Sequence, residues 1–158
     1  MSSLKKTNAM RILDKEKIPY QVASYEVDEN NLDAVHVAKQ ANINIDLVYK
    51  TIVMINERKE IYVFCLPAEF DVSLKRARAL TNSSKIELLN LDLLKKTTGY
   101  IRGGCSPIGM IKHYKTFISD FALLEEKIYV SAGVRGLQLI INPKDLAKCV
   151  DATFEQII

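Results

Sequence analysis

The sequence predicts an α+β fold: a mixed, barrel-like β-sheet surrounded by helices. Three observations carry that prediction. Apolar runs rich in β-branched and aromatic residues outnumber the segments with helical periodicity. Several of these runs follow one another across connections of hairpin length, which a doubly wound parallel sheet does not use. The helical segments are short and interrupt the strands, so they have to pack on the outside of the sheet. The chain has 158 residues, 48% hydrophobic and 26% charged, with no repeat, linker or low-complexity stretch, and predicts one domain over residues 1–158.

The elements follow in order. LKKTNAMRILDKEK (4–17) sets Ala9, Ile12 and Leu13 among charges and stops before Pro19, the pattern of an amphipathic helix. YQVASYEV (20–27) is rich in strand formers, and LDAVHVAKQA (32–41) reads as a short helix capped by Asn31 or Asp33. VYKTIVMIN (48–56) and EIYVFCLPA (60–68) flank a short polar turn and predict a β-hairpin. DVSLKRARAL (71–80) is helical with Asp71 or Ser73 as cap, IELLN (86–90) is a strand, and LDLLKKTT (91–98) is a helix stopped by Gly99. KTFIS (115–119), KIYVSAG (127–133) and LQLIIN (137–142) are strands, the last two joined by a tight turn at VRG. Pro143 then opens a final helix, PKDLAKCV, with Asn142 as its cap.

Composition narrows the function classes. No apolar run is long enough to cross a membrane, and the N-terminal residues lack the apolar centre of an export signal, so the expected location is cytoplasmic. Cys65, Cys105 and Cys149 form no CxxC pair, the usage of a reducing compartment. A net charge of +3 does not by itself announce a nucleic-acid binder. His36 and His113 are the only histidines; His36 lies among apolar helix neighbours and reads as structural, His113 as solvated. With no metal-ligand spacing and no GxSxG elbow, neither a metal nor a cofactor is expected.

Three places can carry chemistry. Lys50 lies among apolar strand residues, either as a solvent-facing lysine or as a cation at the rim of a pocket, holding a phosphate or a polarised carbonyl. GYIRGGCSPIG (99–109) holds four of the chain's six glycines. Its glycines at 103, 104 and 109 would let backbone N–H groups form an anion-binding concavity, or would serve an elaborate loop without a ligand. It lacks the GK[ST] ending of a nucleotide P-loop. In SAGVRG (131–136), a turn explains Gly133 and Gly136 but not Ser131 at a strand end beside Arg135. Cys105 is the one tempting nucleophile, and no base accompanies it in sequence.

VYKTIV (48–53), TGYIRGGCSPIG (98–109) and IYVSAGVRGLQL (128–139) occur here in that order. Together they resemble the YbaK family, free-standing relatives of the editing domain of bacterial prolyl-tRNA synthetases. The likeness runs from KIPYQVASYEVD (17–28) to INPKDLAKCVDATF (141–154). It implies removal of cysteine from mischarged tRNA(Pro), and from Cys-tRNA(Cys) in some members. It also implies a partner in the aminoacyl-tRNA acceptor end, and a further partner in prolyl-tRNA synthetase. The family's lysine falls on Lys50, followed by Thr51, and its strand-end serine on Ser131, with Gly133 and Arg135 completing that motif. Its glycine loop falls on Gly103, Gly104, Ser106, Pro107 and Gly109, and its N-terminal tyrosine on Tyr25, with Asp28 after it. Lys50 and Ser131 are thereby expected at the reacting centre, the others at the substrate. Two departures stand out: Cys105 where an aliphatic residue is usual, and a DENNLDAVHVAKQ segment (28–40) shorter and less acidic than in some relatives.

The resemblance also implies a mechanism that needs no protein nucleophile. The thiol of the cysteinyl ester attacks its own carbonyl, giving a thiolactone and releasing the 3′-oxygen of the terminal adenosine. The protein contributes proximity and orientation. Competing expectations are a deacylase for alanyl- or another aminoacyl-tRNA that uses the ribose hydroxyl, a non-catalytic module binding RNA or a synthetase, and a hydrolase using Cys105. Related alanine-specific domains tend to carry histidine where Ser131 lies, so the serine favours cysteine as substrate.

Overall fold

The central β-hairpin sets the frame. Residues 5–158 are described by the structure, a computed structural model. The hairpin comprises β2 (Tyr49–Asn56) and β3 (Ile61–Pro67), antiparallel and in register from Tyr49 opposite Pro67 to Ile55 opposite Ile61. β3 is buried on both faces, which explains its unbroken apolar run. Val63 and Cys65 enter one core cluster with Leu13, Ile118, Val130 and Leu139. Phe64 and Leu66 enter another, with Phe64 stacked on Phe117 at a centroid separation of 5.4 Å.

Around the hairpin lie β1 (Gln21–Ser24), β4 (Ile86–Leu88), β5 (Lys115–Ser119), β6 (Ile128–Ser131), β7 (Leu137–Ile141) and β8 (Thr153–Glu155). The helices are α1 (Asn8–Lys15), α2 (Ala34–Gln40), α3 (Leu74–Thr81), α4 (Leu91–Thr98) and α5 (Pro143–Val150). Each starts at a residue whose side chain accepts a backbone N–H of the first turn: Thr7, Asp33, Ser73, Asn90 and Asn142. Gly99 ends α4 in the left-handed conformation at φ +89°. Leu4, the first residue of the expected N-terminal helix, lies outside the described residues. No helix among the described residues is long and apolar enough to cross a membrane.

The α+β class stands; the barrel-like closure does not. Among the described residues there are two open sheets, one of three strands in the order β1-β7-β6 and one of five in the order β4-β2-β3-β5-β8. A single bridge between Val48 and Tyr129 joins them. A closed barrel needs continuous pairing around its circumference. Here β4 pairs only with the far end of β2, Met54–Asn56, and β6 is bridged only to Val48, the residue before β2. The β2 edge between them is left open.

Register decides what that edge presents. Ala68 N–H donates to Val48 C=O, so Val48 is hydrogen-bonded towards β3. Alternation along an antiparallel ladder then turns the amide groups of Tyr49, Thr51 and Val53 the other way. The Val53 carbonyl accepts from Leu89 N–H on that side. At Thr51 the outward side is the open edge.

Candidate active site

The cleft that stands at this open edge has a volume of about 260 Å³. β2 supplies Lys50 and Thr51, the glycine loop Gly103 and Cys105, β6 its terminal Ser131, β7 Gln138, and the segment after β1 Tyr25. The start of α2 forms a further wall through Ala34 and Val37. The N-terminal tyrosine, the strand lysine, the glycine loop and the strand-end serine therefore converge, although they lie far apart in sequence.

Lys50 is half-buried, its side chain 23% exposed, and Nζ stands 3.4 Å from Asp71 Oδ1. Asp71 is 99% exposed, so water competes with the pair and it holds the lysine only weakly. The ammonium can exchange this carboxylate for an anionic ligand. The Ser131 oxygen accepts the Gly133 N–H at 3.2 Å, which leaves its proton to be donated elsewhere. Tyr25 donates to the Gly103 carbonyl at 3.5 Å, a long bond that ties the N-terminal wall to the loop.

Two polar atoms of the cleft are buried without a hydrogen-bond partner: Thr51 Oγ1 and Gln138 Oε1. The Thr51 hydroxyl sits beside the Cys65 thiol but makes no bond of ordinary geometry with it. A buried polar group left unmet costs about 1–3 kcal/mol, so a ligand gains about that for each one it satisfies. Gln138 is missing from the sequence reading. Its one signal there is a lone amide in the apolar run LQLIIN, opposite Ser131 in the β6–β7 register.

The remaining expected residues support the cleft without lining it. Gly104 packs on the 131–136 turn; a Cβ there would meet the Arg135 amide nitrogen and the Val134 carbonyl carbon at 3.1 Å. Its close approach is to this turn, and the positive φ of the pair belongs to Gly103, at +84°. Arg135 clamps the loop, donating to the Arg102 carbonyl at 2.9 Å and to Glu29 at 2.8 Å. Ser106 is buried and accepts the Ile108 N–H. Pro107 and Gly109 line a different cleft, of about 170 Å³, with Ile12 and Cys149. Gly133, at φ +105°, makes room for the Tyr100 ring, whose hydroxyl donates to the Ile108 carbonyl. Asp28 pairs with His36 at 3.1 Å.

Cys105 lines the cleft, yet burial pushes its thiol up to about 12. The Thr98 side chain offsets burial only in part. Neither histidine is among the lining residues. The cleft thus offers a cation, hydroxyl groups, open-edge amides and an unmet amide oxygen. That set binds and orients a polar ester, and it holds no activated nucleophile.

The chain belongs to the aminoacyl-tRNA editing domain family, whose model matches residues 28–149. It is 36% identical over 152 residues to EbsC of Enterococcus faecalis (strain ATCC 700802 / V583), a protein named for Cys-tRNA(Pro)/Cys-tRNA(Cys) deacylase activity. That match covers 96% of this chain and 93% of the relative. Two solved structures share the fold. The hypothetical protein APE2540 has a TM-score of 0.85 at 14% identity, covering 94% of this chain and 97% of that one. A structure described as a trans-editing enzyme for prolyl-tRNA synthetase has a TM-score of 0.79 at 16% identity, covering 97% and 98%.

Proposed function

We infer that this protein is a trans-editing deacylase that cleaves Cys-tRNA(Pro), and Cys-tRNA(Cys) as a second substrate, by substrate-assisted cyclisation. The observation that carries the reading is a cleft rich in positioning groups whose one thiol, Cys105, is held protonated by burial. Family membership and the 36% identical relative support the same substrate class.

In this reading the aminoacyl ester enters at the open edge of β2. Lys50 holds the phosphate or ribose of the terminal adenosine as a point charge. Gln138 Oε1 accepts from the substrate's α-ammonium group, satisfying its unpartnered oxygen. The Ser131 hydroxyl and the outward amide of Thr51 face the ester carbonyl and steady the charge that develops on its oxygen. The substrate's sulfur then forms a bond to the carbonyl carbon, and the carbonyl carbon's bond to the 3′-oxygen breaks. The thiol proton passes through water to that leaving oxygen. The product ring contains the carbonyl carbon, Cα, Cβ and sulfur, and water opens it to free cysteine. Gly103 and Tyr25 shape the wall; Gly104, Ser106, Pro107, Gly109, Gly133 and Arg135 hold the loop that carries it.

All 158 residues act as one editing domain in this reading, in the cytoplasm where aminoacyl-tRNA is made. The modest net charge of +3 favours delivery by prolyl-tRNA synthetase over tight unaided capture. The deciding experiment is deacylation of matched Cys-, Ala- and Ser-tRNA(Pro) by the purified protein alone. Fast loss of cysteine with stable Ala- and Ser-tRNA supports the reading. Preferential loss of alanine transfers the function to a ribose-assisted deacylase, and no cleavage at all, with or without added prolyl-tRNA synthetase, leaves a binding module.

A further inference from the structure

The open-edge cleft stands at the beginning of β2, and a second charged feature stands at its end. A groove of about 420 Å³ runs between the β2–β3 turn, the last turn of α4 and the segment after the glycine loop, and Lys59, Lys96 and Lys112 line it. All three are exposed, and none pairs with an acid among the described residues. Unpaired cations around one groove repel each other, and a polyanion laid along them relieves that repulsion.

The surroundings of the cleft give the polyanion a direction. On one side Tyr49 is shared with a groove of about 250 Å³, formed by Phe70, Phe121 and Leu124 with Asp46 and Glu125. A nucleic acid leaving the cleft that way meets carboxylates. Leaving along β2 towards the end of α4, it reaches the lysines. At about 3.3 Å per strand residue, the lysine groove lies about 20–25 Å from Lys50. An extended single RNA strand advances about 5–6 Å per nucleotide, so the unpaired 3′ end of a tRNA is used up over about that distance. At that distance the strand has left the unpaired 3′ end and entered the acceptor stem.

We propose that Lys59, Lys96 and Lys112 form a phosphate-binding surface for the acceptor stem of the tRNA whose 3′ end occupies the cleft. The proposal rests on the deacylase reading of the cleft and adds an anchoring site remote from the chemistry. The test replaces the three together, Lys96→Gln and Lys112→Gln with Lys59→Asn, because position 59 sits at φ +64°, which asparagine tolerates. At about 150 mM salt the variant's KM for Cys-tRNA should exceed the parent's by at least tenfold while kcat holds. The slope of log affinity against log salt should fall by about 2–3, near 0.9 per duplex phosphate lost. Cleavage of a cysteinylated CCA trinucleotide, too short to reach the groove, should be unchanged. An unchanged KM and salt slope on tRNA overturns the proposal, and so does an equal loss on the trinucleotide. Should the parent cleave neither substrate, the deacylase reading has failed, and anisotropy with uncharged tRNA decides the surface alone: unaltered affinity in the variant overturns it. Lost polyglutamate binding with RNA binding intact would reassign the groove to an acidic protein. If the triple variant misfolds, the Lys96→Gln/Lys112→Gln pair carries the same comparisons.

Discussion

In the proposed role, Lys50 has the advantage of a weak partner. Asp71 stands 3.4 Å away but fully in water, so exchanging it for a substrate phosphate costs little. Lys50→Ala removes the cleft's one cation and should lower kcat/KM by about a hundredfold or more, in the range seen when one electrostatic stabiliser is deleted. Thermal melting should be unaffected, because the side chain is partly exposed and its ion pair contributes little. A folded Lys50→Ala protein with normal turnover would remove the lysine from the site. Cys105 makes the opposite case. Its thiol, pushed up to about 12, stays protonated throughout the neutral range, so no thiolate of this residue forms as pH rises from about 6 to 9. Cys105→Ser should therefore change turnover less than tenfold, or about 1.4 kcal/mol, and leave the pH profile in place. Loss of all activity in a folded Cys105→Ser variant would instead make it the nucleophile. Both residues stand out in the sequence, one as a charge among apolar neighbours and the other as a thiol among glycines. Gln138 does not, because nothing in LQLIIN distinguishes an amide facing a cleft from one facing solvent.

The glycine loop answers to its neighbours more than to the substrate. Of its glycines, Gly103 alone lines the cleft; Gly104 meets the 131–136 turn and Gly109 makes room for Asn8, Ile12 and the Tyr100 hydroxyl. The loop and the turn are thus pressed backbone to backbone, and the turn begins at Ser131. A methyl group at 104 would sit 3.1 Å from main-chain atoms that cannot swing aside. Gly104→Ala requires a shift of a few tenths of an ångström, and Gly104→Val much more. Valine should lower stability by about 1–3 kcal/mol, as overpacking does, and cut kcat/KM at least tenfold by displacing Ser131. Melting curves and steady-state rates for both variants give the comparison. Equal kinetics in parent and valine variant would show that the turn does not position the serine. The sequence marks this loop as unusual by its glycine content, but the reason is contact with another loop. Such a contact leaves no local pattern to read.

At the scale of the whole molecule, the readable features were the local ones. Caps, the hairpin and Pro143 at a helix start depend on neighbours in sequence, and they stand where expected. Closure depends on which distant strands pair, and here β6 forms no ladder with β2, only the isolated bridge from Tyr129 to Val48 just before it. The three-residue β8, parallel to β5, was equally invisible. That open seam makes the cleft, and the cleft supplies position without a nucleophile, so the whole reaction should depend on the substrate's sulfur. Cysteine and serine occupy nearly the same space, and contact alone separates such side chains poorly. Their nucleophilicity near neutral pH differs far more. Discrimination should therefore appear in the chemical step rather than in binding. Single-turnover cleavage of Cys-, Ser- and S-methylcysteinyl-tRNA measures this directly. Cys-tRNA should be cleaved quickly and the other two hardly at all, with all three competing for the protein at similar concentrations. Quenching early with a strong amine should trap the strained thiolactone as a cysteine amide, identified by mass, in excess over that formed by the same quench of Cys-tRNA without protein. Comparable rates for the three substrates would assign the attack to water or the ribose hydroxyl. The cleft's unmet Thr51 and Gln138 oxygens would then be places to look for the water's hydrogen bonds.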